Sequence, residues 1–494
     1  MALPRSRRPR RRISTVVPVG AAVLALTATA CTVQDQSTPS PGSSSGIVKS
    51  GNARGVTADS IKIGITYPDL ASVKAFLNVD LGDYEATYRA LIDKINAGGG
   101  VHGRRLVPVF GKLNVVSAAA AQETCVKLTQ DEKVFAVLGT FAGPDQIPCY
   151  TRTNKTAVIG GQQPKDMYAQ AQAPWFSELA GSDLIAKVVQ VFAERGDLAG
   201  RKIAVVGAAE DQSSVEHSLL PALRKAEVTP VATGYLQSLG VDAATLAQQT
   251  GVLLQKAQSA GADTLLLTGT PAQSLPLVLE KTTWRPRLLF TDAPGGYQAA
   301  SGKHDFSTLT GAVVATPDIV WSDPMLQGCA TTVERADPSL AGKLVDPGTV
   351  PAGQPIPGIS LWTACLNLRL FTAIADKAGT DLNYTTFQQA GLGLGAIHLP
   401  AYADDAIYGP SSTNGSIPVK AKTYTLPPTG SSLLLVDVGP GDERGITRPV
   451  RHTDRAALIS SRPCTPNSWP PLHAPSGERN PPCPSLPRSR NSWP

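Results

Sequence analysis

Few residues of this 494-residue chain have the types and spacing that catalysis needs. There is no His-Glu-x-x-His helix and no phosphate loop ending in Gly-Lys-Ser or Gly-Lys-Thr. Cys-x-x-Cys is also absent, so zinc or redox chemistry lacks its usual spacing. The six histidines, His102, His217, His304, His398, His452 and His473, are scattered among turns, helices and the C-terminal tail. Carboxylate pairs such as Asp80 with Asp83 read as solvated positions. The remaining candidates are short polar loops suited to holding a solute. They are Thr66, Tyr67 and Asp69; Thr140, Phe141, Ala142 and Gly143; Gly161 and Gln162; Glu210 and Asp211; Thr268 and Gly269; and Asp292. Backbone N–H groups in the 139–143 loop suit a carboxylate or another acceptor. An acid such as Asp292, Glu210 or Asp211 suits an ammonium, and its competing role is to cap the next helix. The expected chemistry is recognition without a cofactor or metal, so the chain reads as a binder rather than an enzyme.

The elements that must position these loops alternate strand and helix, which predicts parallel sheets with crossover helices. Ile61-Lys62-Ile63-Gly64-Ile65 reads as a strand, followed by a helix with Tyr84, Tyr88, Leu91, Ile92 and Ile95 on one face. Gly98, Gly99, Gly100 and Gly103 come after that helix and before the strand Leu106–Phe110. A dinucleotide loop runs from strand to helix, so this order makes the glycines a helix cap and turn. Strands at 134–138 and 157–159 complete a first lobe, and the pattern restarts after Pro174-Trp175-Phe176 with strands at 203–206, 264–267 and 288–290. In doubly wound sheets, ligands sit beyond the carboxyl ends of the strands, which is where the polar loops fall. The expected division is lobe 1 at about 55–174 and 300–395, and lobe 2 at about 175–299 and 396–440. Such crossings make a hinge around a cleft.

The ends of the chain have a different composition. Arg5, Arg7, Arg8, Arg10, Arg11 and Arg12 precede an apolar run from Val16 to Leu26 and then Ala28, Thr29 and Ala30, a signal-peptide pattern over residues 1–30. The apolar run is short of the ~20 residues a bilayer span needs, and no later stretch reads as a span. Cys31 follows the small triplet in the manner of a bacterial lipobox, with Ala28 where Leu is commonest. This predicts lipidation of Cys31; an ordinary cleavage site is the alternative. Residues 31–54 are a Ser/Pro/Gly-rich tether with little apolar surface to bury. Residues 441–494, rich in Pro, Arg and Ser, read as a disordered extension. The signal carries +6 and the tail +4, so the formal +6 of the whole chain leaves −4 for residues 31–440. A mildly acidic body offers no footprint for nucleic acid. Of the four body cysteines, Cys125 and Cys149 bracket one supersecondary unit, and Cys329 and Cys365 another. That favours these two disulfides in an oxidising compartment, with other pairings open.

Residues 55–440 resemble the leucine/isoleucine/valine-binding type of periplasmic binding protein, the solute receptors of ABC importers. The resemblance rests on Gly55-Val56-Thr57 leading into Ile61-Lys62-Ile63-Gly64, on the run Ile95 to Arg104, and on Leu128-Thr129-Gln130-Asp131 through Val137-Leu138-Gly139. It implies a two-lobed type 1 α/β fold, with each lobe a parallel sheet flanked by helices and a multi-strand hinge between them. It also implies an extracytoplasmic location, a membrane permease as partner, a monomer, and a first-lobe disulfide matching Cys125 with Cys149. Asp292 corresponds to the acid that holds the α-amino group in amino-acid-binding members. Two loops depart from that pattern: Ala208-Ala209-Glu210-Asp211 replaces a Tyr-Gly pair, and Thr140-Phe141-Ala142-Gly143 replaces a Ser-Ser or Ser-Thr loop. The implied solute is a branched-chain amino acid, an amide or a related small polar compound. A ligand-sensing module of the same fold, uncoupled from transport, is the alternative role.

Overall fold

The computed structural model describes residues 53–73, 80–114, 117–141, 146–161, 165–178, 181–237, 243–291, 305–351, 354–410, 412–424, 426 and 435–438. Cys31, Ala142, Gly143, Gln162 and Asp292 lie outside the described residues, as do the signal, most of the tether and the tail.

The first sheet contains β1 (Ser60–Pro68), β2 (Arg105–Leu113), β3 (Ala136–Gly139), β4 (Ala157–Ile159) and β5 (Trp175–Phe176), in the order β2-β1-β3-β4-β5 with every pairing parallel. Central strands of a parallel sheet are covered on both faces, which is why β1 and β3 are almost continuously apolar and buried. Asp83 caps the helix Tyr84–Ala97 by accepting the Ala86 N–H at 3.0 Å, and Tyr84, Tyr88, Leu91 and Ile92 form its buried face. The glycine run closes the helix as expected. Gly100 has φ +67°, and a Cβ there would lie 2.0 Å from the Arg104 carbonyl oxygen.

The second sheet holds β6 (Ile203–Ala208), β7 (Ala232–Leu236), β8 (Thr264–Leu267), β9 (Arg287–Phe290), β10 (Val313–Thr316), β14 (Lys420–Tyr424) and β15 (Leu435–Asp437), in the order β15-β14-β10-β9-β8-β6-β7. Its core pairings are parallel, while β14 and β15 are antiparallel additions. A small antiparallel sheet joins β11 (Ala396–Ile397), β12 (Ala406–Gly409) and β13 (Ser412–Ser416).

These pairings correct the expected lobe boundaries. β5 belongs to the first sheet, so the chain leaves that lobe at Ser177–Glu178 rather than after residue 174. β10 was expected in lobe 1 but extends the second sheet beside β9. Its buried Val313-Val314-Ala315 run would suit the middle of either sheet, so composition could not assign it. Residues 396–417 were expected in lobe 2, yet Ile397, Ala406, Tyr408 and Ile417 pack into the first-lobe core. That core centres on the helix Gly358–Ala378, where Phe371 meets Phe135 and Phe387. By length and composition this helix could cross a membrane, contrary to the sequence reading. Its Leu361, Phe371 and Ile374 are fully buried, so here it is a core helix.

Among the described residues, the chain therefore crosses between the lobes three times: after β5, after β10, and between β13 and β14. The crossings are stitched to their neighbours. Ser177 N–H donates to the Thr413 carbonyl at 3.1 Å and Gly415 N–H to the Ser177 carbonyl at 2.9 Å, while Val320 N–H donates to the Ala401 carbonyl at 2.7 Å. Lys420 of β14 lies 3.1 Å from Asp318 on the second crossing and 3.3 Å from Asp404 on the first-lobe side. Lys422 holds Asp318 at 2.7 Å and Asp437 at 3.1 Å.

Candidate ligand-binding site

Strand order reverses direction between β1 and β3 in the first sheet and between β6 and β8 in the second. At such switch points the outgoing loops part and leave a crevice at the carboxyl ends. Of the candidate residues described, Thr66, Tyr67, Asp69, Thr140 and Phe141 lie at the carboxyl ends of β1 and β3, and the 209–211 turn, Thr268 and Gly269 follow β6 and β8.

On the first lobe, Thr66 is fully buried, and its Oγ1 donates to the Leu138 carbonyl at 3.4 Å. The Thr66 carbonyl in turn accepts the Thr140 N–H at 3.2 Å. Thr66 thus ties β1 to β3, and the exposed Thr140 beside it faces solvent. The half-buried Phe141 packs edge-on against Tyr150, with centroids 5.4 Å apart. Gly161 has φ +75°, and a Cβ there would meet the Phe141 ring at 3.0 Å, so the loops after β3 and β4 touch through a glycine. Asp69 is half-buried just beyond β1, its N–H on the Leu113 carbonyl at 2.8 Å.

Tyr67 turns toward the helix Tyr84–Ala97, stacks on Tyr84 at 5.8 Å and donates its hydroxyl to Glu85. Burial pushes the Tyr67 hydroxyl far above its usual range, and the Glu85 hydrogen bond adds to the rise. Burial takes the Tyr84 hydroxyl up to about 12. Both phenols are therefore neutral hydrogen-bonding groups at physiological pH. A cavity of about 740 Å³ opens beside them, at the carboxyl ends of β1 and β2, with Asp80, Asp83, Glu85 and Lys112 on its walls. The sequence reading dismissed Asp80 and Asp83 as ordinary solvated acids. They line this cavity while also serving as turn and cap, with Asp80 accepting the Gly82 N–H at 2.9 Å. The first helical turn, Tyr84-Glu85, was the signal available for this wall.

On the second lobe, Ala209–Asp211 form a single tight turn directly after β6, and the Glu210 backbone lies in it. Gly269, with φ +65°, begins the helix Thr270–Leu279 after β8. A Cβ on Gly269 would lie 2.3 Å from Asp211 Oδ2, so the Asp211 carboxylate sits against the start of that helix. This contact joins two of the predicted loops and places the Asp211 carboxylate at the N-terminus of that helix rather than as a side-chain cap on the helix that follows it in sequence. Thr268 is buried, and its N–H donates to the Val206 carbonyl at 3.2 Å.

Sequence reasoning missed a polar cluster beneath the β4 loop. Tyr168 stacks on Trp175 at 3.9 Å and donates to the Gly161 carbonyl at 2.6 Å, while Trp175 Nε1 donates to the Gly160 carbonyl at 2.9 Å. No motif links Tyr168 to Ser177 and Asn414, which the fold brings together. The sulfurs of Cys125 and Cys149, and of Cys329 and Cys365, lie at bonding distance, in the two expected pairs. Among the described residues, no group of three or more His, Cys, Asp or Glu side chains is arranged to hold a metal ion.

Two doubly wound lobes joined by three crossings, with polar loops at both switch points, define a two-lobed α/β fold. The comparisons with known proteins agree. Residues 60–280 match the family model described as Periplasmic binding protein. A type 1 periplasmic binding protein from Bordetella pertussis Tohama I superposes with a TM-score of 0.56 at 14% identity, over 77% of this chain and 100% of that one. An ABC transporter substrate-binding protein from Desulfitobacterium hafniense, in complex with Leu, gives 0.51 at 15% identity, over 76% and 100%. A solute-binding protein of an ABC transporter from R. palustris, in complex with 4-hydroxybenzoate, gives 0.54 at 12% identity, over 77% and 96%. No curated protein matches the sequence. The chain has the fold of the type 1 periplasmic binding proteins, and its residues 60–280 match the model of that family. The matching family binds solutes and does not transform them.

Proposed function

We propose that this chain is the extracytoplasmic solute receptor of an ABC importer, held at the membrane by a lipid on Cys31, that captures a small organic solute between its lobes and presents the closed form to a permease. The observation that carries the reading is the pairing of two switch points, one per lobe, across a three-strand hinge. Contacts from both walls to one solute favour the closed state, because a ligand shifts the equilibrium toward the state it binds better. The solute class is a small molecule with one polar end and an apolar body: a branched-chain amino acid, an amide or a related acid. The half-buried Phe141 supplies apolar surface just beyond β3, and the neighbours noted above hold Leu and 4-hydroxybenzoate. Asp292 is the proposed partner of a ligand ammonium.

A thermal-shift screen of leucine, isoleucine, valine, small amides and 4-hydroxybenzoate tests the reading. A true solute at a hundred times its Kd stabilises the protein by about 2.7 kcal/mol. A flat melt across the panel refutes this solute class. Anchoring has its own test: Cys31→Ala moves the protein from the membrane to the soluble fraction, and unchanged retention refutes the lipid.

A further inference from the structure

The loop after β4 is joined to the hinge by a chain of side-chain hydrogen bonds whose direction can be assigned. Tyr168 is on the short helix Lys165–Ala169, and its hydroxyl donates to the Gly161 carbonyl at 2.6 Å. A phenol has one proton, and a carbonyl can only accept. The 2.9 Å contact between Tyr168 and Ser177 must therefore run from the Ser177 hydroxyl to the Tyr168 oxygen. With its own proton committed, Ser177 Oγ accepts from Asn414 Nδ2 at 2.8 Å. The order is Asn414 N–H to Ser177 O–H to Tyr168 O–H to the Gly161 carbonyl, with every donor pointing toward the loop.

Its two ends differ in kind. Gly161 belongs to a loop at the carboxyl edge of the first sheet, and Ser177 is on the first crossing. Asn414, on β13, forms a bridge with Ser177 and leads to the third crossing. Ser177 and Asn414 are buried, so this chain lies in a low-dielectric setting where aligned hydrogen bonds reinforce one another. The Ser177 backbone is held as well, its carbonyl accepting from the Tyr408 hydroxyl and the Gly415 N–H, both at 2.9 Å. A shift of the Gly161 carbonyl therefore alters the partner of a group that also fixes two crossing strands.

We propose that Tyr168 is a positioning residue that couples the solute loop after β4 to the hinge, so that occupancy of the loop is felt at the crossings through Ser177 and Asn414. This rests on the solute-capture reading, in which Gly161 borders the ligand. It goes beyond that reading by naming the route from ligand loop to hinge.

Tyr168→Phe tests it, because it removes the hydroxyl and keeps the ring stacked on Trp175. Amide hydrogen exchange is measured on the full mature chain without solute. The expected result is about five- to tenfold faster exchange at the Ser177 and Gly415 amides, which Tyr168 does not bond. Ser177→Ala is expected to give the same change, and the double variant no further acceleration, since groups in one network are non-additive. Where Ser177→Ala fails to fold, Asn414→Ala takes its place in the cycle. Faster exchange confined to the residues around Gly161 and Tyr168, or strictly additive effects, would overturn the coupling. Neither measurement uses a ligand, so a failure to find any solute counts against solute capture alone.

Discussion

Gly139 offers the sharpest test of how the first switch point is built. It ends β3 with φ +132°, and a Cβ there would lie 2.1 Å from the Thr66 carbonyl oxygen and 3.0 Å from Thr66 Oγ1. Gly139→Ala must push the ends of β1 and β3 apart by roughly 1 Å, an overpacking that costs about 1–3 kcal/mol. The positive φ adds about 1–3 kcal/mol for any side chain. Gly99 supplies the control, because it has φ +102° with nothing within 4 Å of its absent Cβ. Gly99→Ala is expected to cost the backbone term alone, so the two variants should differ by about 1–3 kcal/mol. Urea unfolding followed by far-UV circular dichroism and linear extrapolation measures both. Gly139→Ala should also weaken solute binding, since the Thr66–Thr140 contact sits at the displaced edge, whereas Gly99→Ala should leave binding unchanged. Equal losses of stability in the two variants would refute the claim that close approach of β1 to β3 shapes this wall.

Other perturbations have equally definite outcomes. Asp197 is buried between Arg195 at 2.9 Å and Arg287 at 2.6 Å, so Asp197→Ala removes the carboxylate that both guanidinium groups share and should cost about 3–5 kcal/mol by urea titration. Burial alone would raise the Asp318 carboxyl, but the hydrogen bonds and charges of Lys422 and Lys420 outweigh it and hold it below the usual carboxylate range. A depressed folded-state pKa adds stability above the unfolded value of about 3.9 and loses it as pH falls through the folded one. The acid limb of the stability profile should therefore flatten in Asp318→Asn, and an unchanged limb would remove Asp318 from the account. The disulfides close sequence separations of 24 and 36 residues. Each is worth roughly 3–4 kcal/mol on the chain-entropy scale, so a reducing agent should lower the melting temperature, and a melt indifferent to reduction would show the thiols unpaired.

Much of the fold was legible because the pattern was local. Ile61, Ile63 and Ile65, the Tyr84–Ile95 face and the glycine run each declare their element within a few residues, and the alternation of strand and helix leads to doubly wound lobes. Carboxyl-end loops then follow from topology, so Thr66, Thr140, Gly161, Asp211 and Thr268 could be named before their surroundings were known. Their roles could not. Thr66 turned out to serve the sheet and Asp211 to lie on a helix start, because a polar side chain at a strand end can face solute or backbone equally well by sequence.

The sequence by itself determined the alternating elements, the acidic body between basic ends, the absence of Cys-x-x-Cys, and the positions of the loops at the carboxyl ends of the strands. These depend on composition and on spacings of a few residues. Only the tertiary structure decided which sheet β10 joins, that residues 396–417 return to the first lobe, that Asp80 and Asp83 line a cavity with Tyr67, and that Tyr168, Ser177 and Asn414 form one directed chain. Those facts depend on pairings between residues up to hundreds of positions apart, and burial and hydrogen-bond satisfaction across such distances are settled by packing rather than by local propensity.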